Sequence, residues 1–154
     1  MTNPRTAYRQ NDAGGASGVR LVILLYEQII QDLSRAAKAV EHCDIELRTN
    51  CINHAILVIG YLQSPLDFAN GGKVAKDLDR FYNVLRQNMV RAQFSASKAA
   101  LGQLITDVLA VREAWIEVGR AEQSSSTRSA TVRTSTADSS NAVAPERSRT
   151  EWQG

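Results

Sequence analysis

The residues best suited to chemistry in this sequence are two cysteines and two histidines that lie close together, at His42, Cys43, Cys51 and His54. Thiolate and imidazole groups are the usual ligands of zinc, so the cluster raises the question of a metal site. Cys51 and His54 are three residues apart on a predicted helix, whereas the other two lie near the preceding turn. This layout matches no established ligand spacing. It favours two small apolar thiols, reduced in the cytosol, and two surface histidines.

His54 alone could accept a phosphoryl group, because some signalling bundles carry one exposed histidine on a helix. Those domains place a lysine and then a glycine soon after the histidine. Here Ile56, Leu57 and Val58 follow, and Gly60 comes too late to match. A phosphotransfer or regulatory signalling bundle is therefore kept as the alternative function, and an exposed helix residue is the simpler interpretation of His54.

Other signs of catalysis are missing from the sequence. Gly71-Gly72 lacks the strand and helix of a phosphate-binding loop, and the Glu-x-x-His motif of di-iron bundles does not occur. We therefore expect no enzyme activity, no cofactor and no metal. The 18 basic and 16 acidic residues nearly cancel and form no run, which disfavours nucleic-acid binding. The absence of a secretory signal or a membrane-length apolar run predicts a cytoplasmic protein without membrane insertion.

Apolar residues at helical spacing predict four amphipathic helices, at about 16–41, 45–62, 73–93 and 96–119. Short turns join them, so we predict an all-α fold, an antiparallel four-helix bundle. The predicted division is a flexible leader at 1–15, the bundle at 16–120, and a disordered Ser/Thr-rich tail at 121–154.

Several helices carry more apolar residues than one buried face requires. On the first helix, Leu24 falls outside the apolar arc and Leu21 lies near its border. The second helix shows a core face and a second row beside it, and the fourth helix repeats this pattern. Surplus apolar rows predict a surface that receives another helix. The two extra rows consist of Leu47, Cys51, Val58 and Tyr61 on the second helix, and Ile105, Leu109 and Ile116 on the fourth.

The chain from Tyr8 to Val118 resembles the FliS family of flagellar export chaperones. No single motif decides the resemblance, but the order and spacing of several motifs span nearly the whole bundle. Gly18 stands where proline is common in the family. The matching segments are Tyr8-Arg9-Gln10-Asn11, Ala16-Ser17 followed by Leu21 to Tyr26, Leu66-Asp67, Gly71-Gly72, Ala75, Leu78, Tyr82, and Arg112-Glu113-Ala114-Trp115.

The resemblance implies a cytosolic chaperone that binds the C-terminal helices of flagellin, prevents premature polymerisation and keeps flagellin ready for export. Components of the export apparatus are further candidate partners. We hypothesise that Tyr8 and Asn11 lie over a groove in the free protein and move aside. Ordinary packing between helices is the alternative explanation for each apolar contact residue. The expected contacts are Leu47, Val58, Tyr61, Ile105, Leu109 and Ile116.

Overall fold

A computed structural model describes residues 4–8 and 16–140, with side chains for 4–8 and 18–129. It confirms the predicted all-α, four-helix bundle, and no strand occurs within the described residues. A single 3₁₀ turn, Pro4–Ala7, precedes the bundle and is called the leader turn below. The helices are α1 (Ala16–Glu41), α2 (Ile45–Gln63), α3 (Phe68–Ser95) and α4 (Lys98–Ser140).

The core lies where the inward faces of the four helices meet. Fully burying one large apolar side chain contributes about 1.5–3 kcal/mol, so these residues supply most of the stabilisation. The aromatic members lie towards one end of the bundle, where the leader turn also packs. The largest fully buried side chains are Trp115, Tyr26, Tyr82, Ile29, Leu33, Ile52, Ile59, Leu62, Leu85, Met89, Leu101 and Val19.

Three contacts between α1 and α4 show that these helices run antiparallel. Lys98 at the start of α4 pairs with Glu41 at the end of α1. In the middle, Arg112 Nη2 lies 2.6 Å from Glu27 Oε1. At the other end, a Cβ on Gly119 would lie 3.5 Å from the side chain of Val19. The numbers fall on α1 as they rise on α4, which fixes which residues share a height in the bundle.

The turns follow local capping chemistry. Between α1 and α2, Cys43 takes a positive φ of 55°, and the Asp44 side chain accepts the Leu47 N–H at 2.9 Å. This confirms the tight turn predicted at 42–44. Before α4 the cap is Ser97, whose hydroxyl accepts the Ala100 N–H at 3.1 Å, and the predicted cap at Ser95 is wrong.

The start of α3 differs from the prediction at Lys73, because Asp67 caps a helical turn that begins at Phe68. The Asp67 carboxylate accepts the backbone N–H groups of Ala69 and Asn70, both at 3.1 Å. Gly72 then takes φ 49° and ψ −122°, a conformation that favours glycine, and kinks the helix. The Gly-Gly pair therefore bends α3 rather than preceding it.

The structure continues α4 to Ser140, well past the predicted end near Gly119. One glycine costs a helix only about 1 kcal/mol, and the alanine, glutamate and glutamine that follow are strong helix formers. By its contacts the chain separates into two compact units, Met1–Ala121 and Glu122–Gly154. Most of the predicted leader, and residues 141–154 of the predicted tail, lie outside the described residues. No described helix is long and apolar enough to cross a membrane.

Candidate partner-binding surface

Beyond its first turn, α2 carries only uncharged polar and apolar side chains apart from His54. Residues 49–66 contain no Asp, Glu, Lys or Arg. On its outward side Leu57 is 54% exposed and Tyr61 is 60% exposed, which places Tyr61 where a partner can reach it. Leu57 was not among the expected contact residues, although its spacing of four from Tyr61 puts the two on one helix face.

The second apolar row predicted on α2 does not stay at the surface. Val58 is only 3% exposed and belongs to the core, so its expected place on an open surface row is wrong. Cys51 is also buried, whereas Leu47 is half-buried against the core. The physical reason is that α2 packs against both α1 and α3, so Cys51 and Val58 join the buried face while Tyr61 stays exposed. Ile45, predicted in the core, is exposed at the start of the helix.

The two exposed leucines of α1 lie near the height of Tyr61 on the neighbouring helix α2. His54 and Asp32 join the two helices, and the helices run antiparallel across a short turn. Tyr61 lies seven residues beyond His54, about 10 Å along the axis at 1.5 Å per residue, and Leu24 lies eight residues before Asp32, so both reach a similar height. Leu21 and Leu24 are both exposed, as the sequence predicted for Leu24. We call Leu21, Leu24, Leu57 and Tyr61 the α1–α2 face.

His54, the candidate phosphoryl acceptor, contacts a buried carboxylate. His54 Nδ1 lies 2.6 Å from Oδ2 of Asp32, and Gln28 Nε2 donates to the other oxygen at 3.2 Å. Asp32 is 2% exposed, so both bonds satisfy a charge that would be costly to bury alone. The pair ties α1 to α2 while the imidazole stays half exposed. The sequence analysis missed Asp32, because helical periodicity does not show which buried acid finds a partner.

The four cysteine and histidine residues do not converge on one point. Cys43 is exposed, whereas Cys51 is buried, and burial raises the pKa of the Cys51 thiol. Within the described part of the chain, no group of three or more His, Cys, Asp and Glu side chains is arranged to hold a metal ion. His54 instead contacts the Asp32 carboxylate.

The extra row on α4 lies along α1 and forms a half-open seam. Leu109 is exposed, Ile105 is half-buried against the core, and Ile116 is half-buried. Between them Arg112 reaches across to Glu27, with Nε and Nη2 at 3.2 and 2.6 Å from the same oxygen. This hydrogen bond raises the pKa of Arg112. We call the row Ile105, Leu109 and Ile116, with its ion pair, the α1–α4 seam.

The leader turn is seated on α3 by close backbone contact. The Asp67 N–H donates to the Ala7 carbonyl at 2.6 Å, and Tyr8 forms a β-bridge with Leu66. A Cβ on Gly71 would lie 2.5 Å from the Ala7 Cα, so only glycine permits this approach. The leader therefore depends on the glycine that precedes the kink.

Tyr8 itself is buried among other aromatic residues. Its ring lies 5.5 Å from the ring of Trp115, centroid to centroid. Its hydroxyl shares a hydrogen bond of 2.6 Å with Tyr82, which shares another of 2.5 Å with Tyr26. Burial raises the pKa of all three phenols, since the charged form would lose its water. Tyr8 thus anchors the leader, and Asn11 lies outside the described residues.

Comparison with known proteins gives a consistent result. Residues 1–122 match the family model described as "Flagellar protein FliS". The flagellar secretion chaperone FliS of Campylobacter jejuni is 32% identical over 112 residues, which cover 73% of this chain and 88% of that protein. Flagellar secretion chaperone FliSB of Pseudomonas aeruginosa is 32% identical over 62% of this chain and 76% of its own. FliS of Bacillus subtilis is 25% identical over 80% of this chain and 91% of its own.

Proposed function

The chain belongs to the FliS family and is a flagellar secretion chaperone, and on that premise we propose that its client is flagellin, bound in the cytoplasm. The bound part is the C-terminal helical segment, whose apolar face would otherwise drive polymerisation. The chaperone covers that face until export. This is competitive burial, so it requires no nucleotide, cofactor or covalent step.

The observation that carries the proposal is the α1–α2 face. Four large apolar side chains lie about half exposed there, and residues 49–63 of α2 include no Asp, Glu, Lys or Arg. Several large apolar side chains exposed on two neighbouring helices typically mark an interaction site. Burying apolar area releases about 25 cal/mol per Å², and an amphipathic client helix offers a matching stripe.

The α1–α4 seam is the second proposed contact. Ile105, Leu109 and Ile116 present partly open apolar edges, and a wrapped client can follow them after leaving the α1–α2 face. Leu47, half-buried near the start of α2, extends the first contact. Since Val58 lies in the core, it supports α2 from inside and does not touch the client.

The leader is proposed to move when client binds. Tyr8 covers Trp115, and a few hydrogen bonds and the close approach to Gly71 hold the leader turn on α3. Its release, with Asn11, would expose aromatic surface next to Tyr82. Exchange requires that the client bind the released form more tightly than the closed one.

The test is complex formation with purified flagellin, measured by size-exclusion chromatography. We expect co-elution with full-length flagellin and none with flagellin that lacks its C-terminal helices. Equal binding of both forms would place the contact elsewhere on flagellin, and no binding of either would overturn the proposal. A self-assembling structural protein would instead elute as a large oligomer without client.

The alternative, a phosphotransfer bundle, has one observation in its favour. Asp32 orients the imidazole of His54 and leaves the other ring nitrogen towards the exposed side. The same contact is explained by the need of a buried carboxylate for a partner. His54→Gln separates the two functions, since it leaves flagellin binding unchanged in a chaperone and abolishes the function of a phosphotransfer protein.

A further inference from the structure

The outward face of α3 carries a row of exposed cations. Between residues 73 and 95 the exposed ionisable side chains are Lys73, Lys76, Arg80 and Arg91, against one exposed acid, Asp77. At 100° per residue the four cations fall within an arc of about 60°. They are spaced three to eleven residues apart, so they form a row on the helix without forming a run in the sequence.

The four cations have no carboxylate partner within the described residues. The ion pairs of that part of the chain use His54, Lys98, Arg112 and Arg120. The other acid of this segment, Asp79, faces α2 and accepts a hydrogen bond from Gln63 at 2.6 Å. The positive potential of the α3 face is therefore not cancelled by its own surroundings.

Apolar side chains accompany the cations. Phe94 is 86% exposed at the end of the same row, the highest exposure among the large apolar residues of the described chain. Val84 and Val90 are also exposed and flank the row on its two sides. Aromatic side chains with arginines nearby are enriched at protein interfaces, so this combination points to a protein partner.

We propose that the α3 face, defined as Lys76, Arg80, Val84, Val90, Arg91 and Phe94, binds an acidic amphipathic helix of a protein partner. Charge complementarity selects the occupant, because acidic side chains beside the apolar stripe of the partner can pair with the row of cations on α3. A nucleic acid fits less well, because Phe94 is the one aromatic ring among these six residues and valines offer no plane on which bases stack. The surface is on a different helix from the α1–α2 face.

The probe is a synthetic amphipathic peptide of about 18 residues, long enough for five helical turns, with glutamates flanking a leucine stripe. A matched peptide has the same leucines and lysines in place of the glutamates. Binding to the full chain is measured by fluorescence anisotropy and located by amide chemical-shift changes. We expect the acidic peptide to bind at α3, more weakly as salt rises, and the basic peptide not to bind there.

Two variants make the test specific. Arg80→Glu combined with Arg91→Glu should weaken binding of the acidic peptide by about tenfold or more. Lys38→Glu, which changes an exposed cation on α1, should alter this binding little. Phe94→Ser should weaken binding of the acidic peptide without changing how that binding depends on salt. All of these residues are exposed, so circular dichroism should show an intact bundle.

Three results would overturn the proposal. The first is equal binding of the two peptides, and the second is shift changes that lie outside α3. The third is tighter binding of anionic vesicles or a single-stranded oligonucleotide that is lost in the same double variant, which would assign the cations to a membrane or to nucleic acid.

Discussion

The hydroxyl of Tyr82 is shared by two other buried tyrosines, one from the leader and one from α1. Tyr8 and Tyr26 each lie within hydrogen-bond distance of it, at 2.6 and 2.5 Å. The sequence predicted that Tyr82 widens the apolar face of α3, and helical spacing was sufficient for that. It could not predict the hydrogen bonds, because they join residues far apart in the chain. The same limit applies to Asp32 and His54.

Tyr82→Phe should destabilise the protein without changing its fold. The variant keeps the ring but leaves the hydroxyls of Tyr8 and Tyr26 without this partner in a buried site. An unsatisfied buried polar group costs about 1–3 kcal/mol, so we expect a loss of that size in the free energy of unfolding. Urea unfolding followed by circular dichroism measures it. Tyr61→Phe, which removes an exposed hydroxyl, is the control and should change stability by less than about 0.5 kcal/mol.

At the level of helices, α2 shows what periodicity can and cannot determine. Its start follows from Asp44, a local cap that the sequence displays, and its predicted end differs by one residue from the observed Gln63. Its buried arc depends on the angle at which α1 and α3 approach, which the pattern of one helix does not contain. Val58 therefore lies inside and Leu57 outside, although both are apolar neighbours.

Leu57→Asp and Val58→Asp should have opposite consequences. At position 57 the new carboxylate would stand in water on the α1–α2 face, so stability should hardly change while flagellin binding weakens. At position 58 the charge would be buried without a partner, which costs about 3–5 kcal/mol and should collapse the thermal melt. Circular dichroism melts and co-elution with flagellin measure the two effects. If Val58→Asp melted normally, the position of α2 in the bundle would be incorrect.

Gly71→Ala should release the leader turn and leave the four helices in place. The added methyl would meet the Ala7 Cα at 2.5 Å and the Thr6 carbonyl oxygen at 2.7 Å, so the leader backbone must move. Trp115 then loses its cover by Tyr8, and its fluorescence should shift to longer wavelength. Trp152→Phe removes the second tryptophan from the measurement.

Gly102→Ala is the matched control for this substitution. It also adds one methyl within a helix, but nothing lies within 4 Å of the new Cβ. It should leave the Trp115 emission unchanged and stabilise α4 by up to about 1 kcal/mol. An unchanged emission in Gly71→Ala as well would show that the leader does not depend on this close approach.

For the molecule as a whole, the sequence predicted the fold class well and the length of the last helix poorly. Four amphipathic patterns joined by short turns were enough for the bundle, and the order of motifs from Tyr8 to Trp115 was enough for the family. The length of α4 was not predictable, because the Ser/Thr-rich composition after Glu122 weakens helical preference without forbidding it. The search for runs of charge in the sequence also missed the cations of α3, because they come onto one face only when the helix forms.

The folded protein should lose stability in alkaline solution. Desolvation by burial raises the pKa of Tyr8, Tyr26 and Tyr82 above the value near 10 of an unfolded tyrosine. The unfolded chain therefore releases these protons at a lower pH than the folded protein does. The three phenols contribute fully to the free energy of unfolding below about pH 10, and this contribution falls as the pH rises further. Phenolate absorbance of these three residues should appear together with the loss of helical circular dichroism. Their ionisation in a still-folded protein would contradict the buried arrangement.

The ring contact between Tyr8 and Trp115 has a consequence for how the protein is made. Synthesis runs from the amino end, so Tyr8 leaves the ribosome long before Trp115 is translated. The leader turn can meet its aromatic partner only after the last helix of the bundle has emerged. A chain stalled before Trp115 can still seat the leader turn through Asp67 and Gly71, but the ring contact of Tyr8 forms only once α4 is in place.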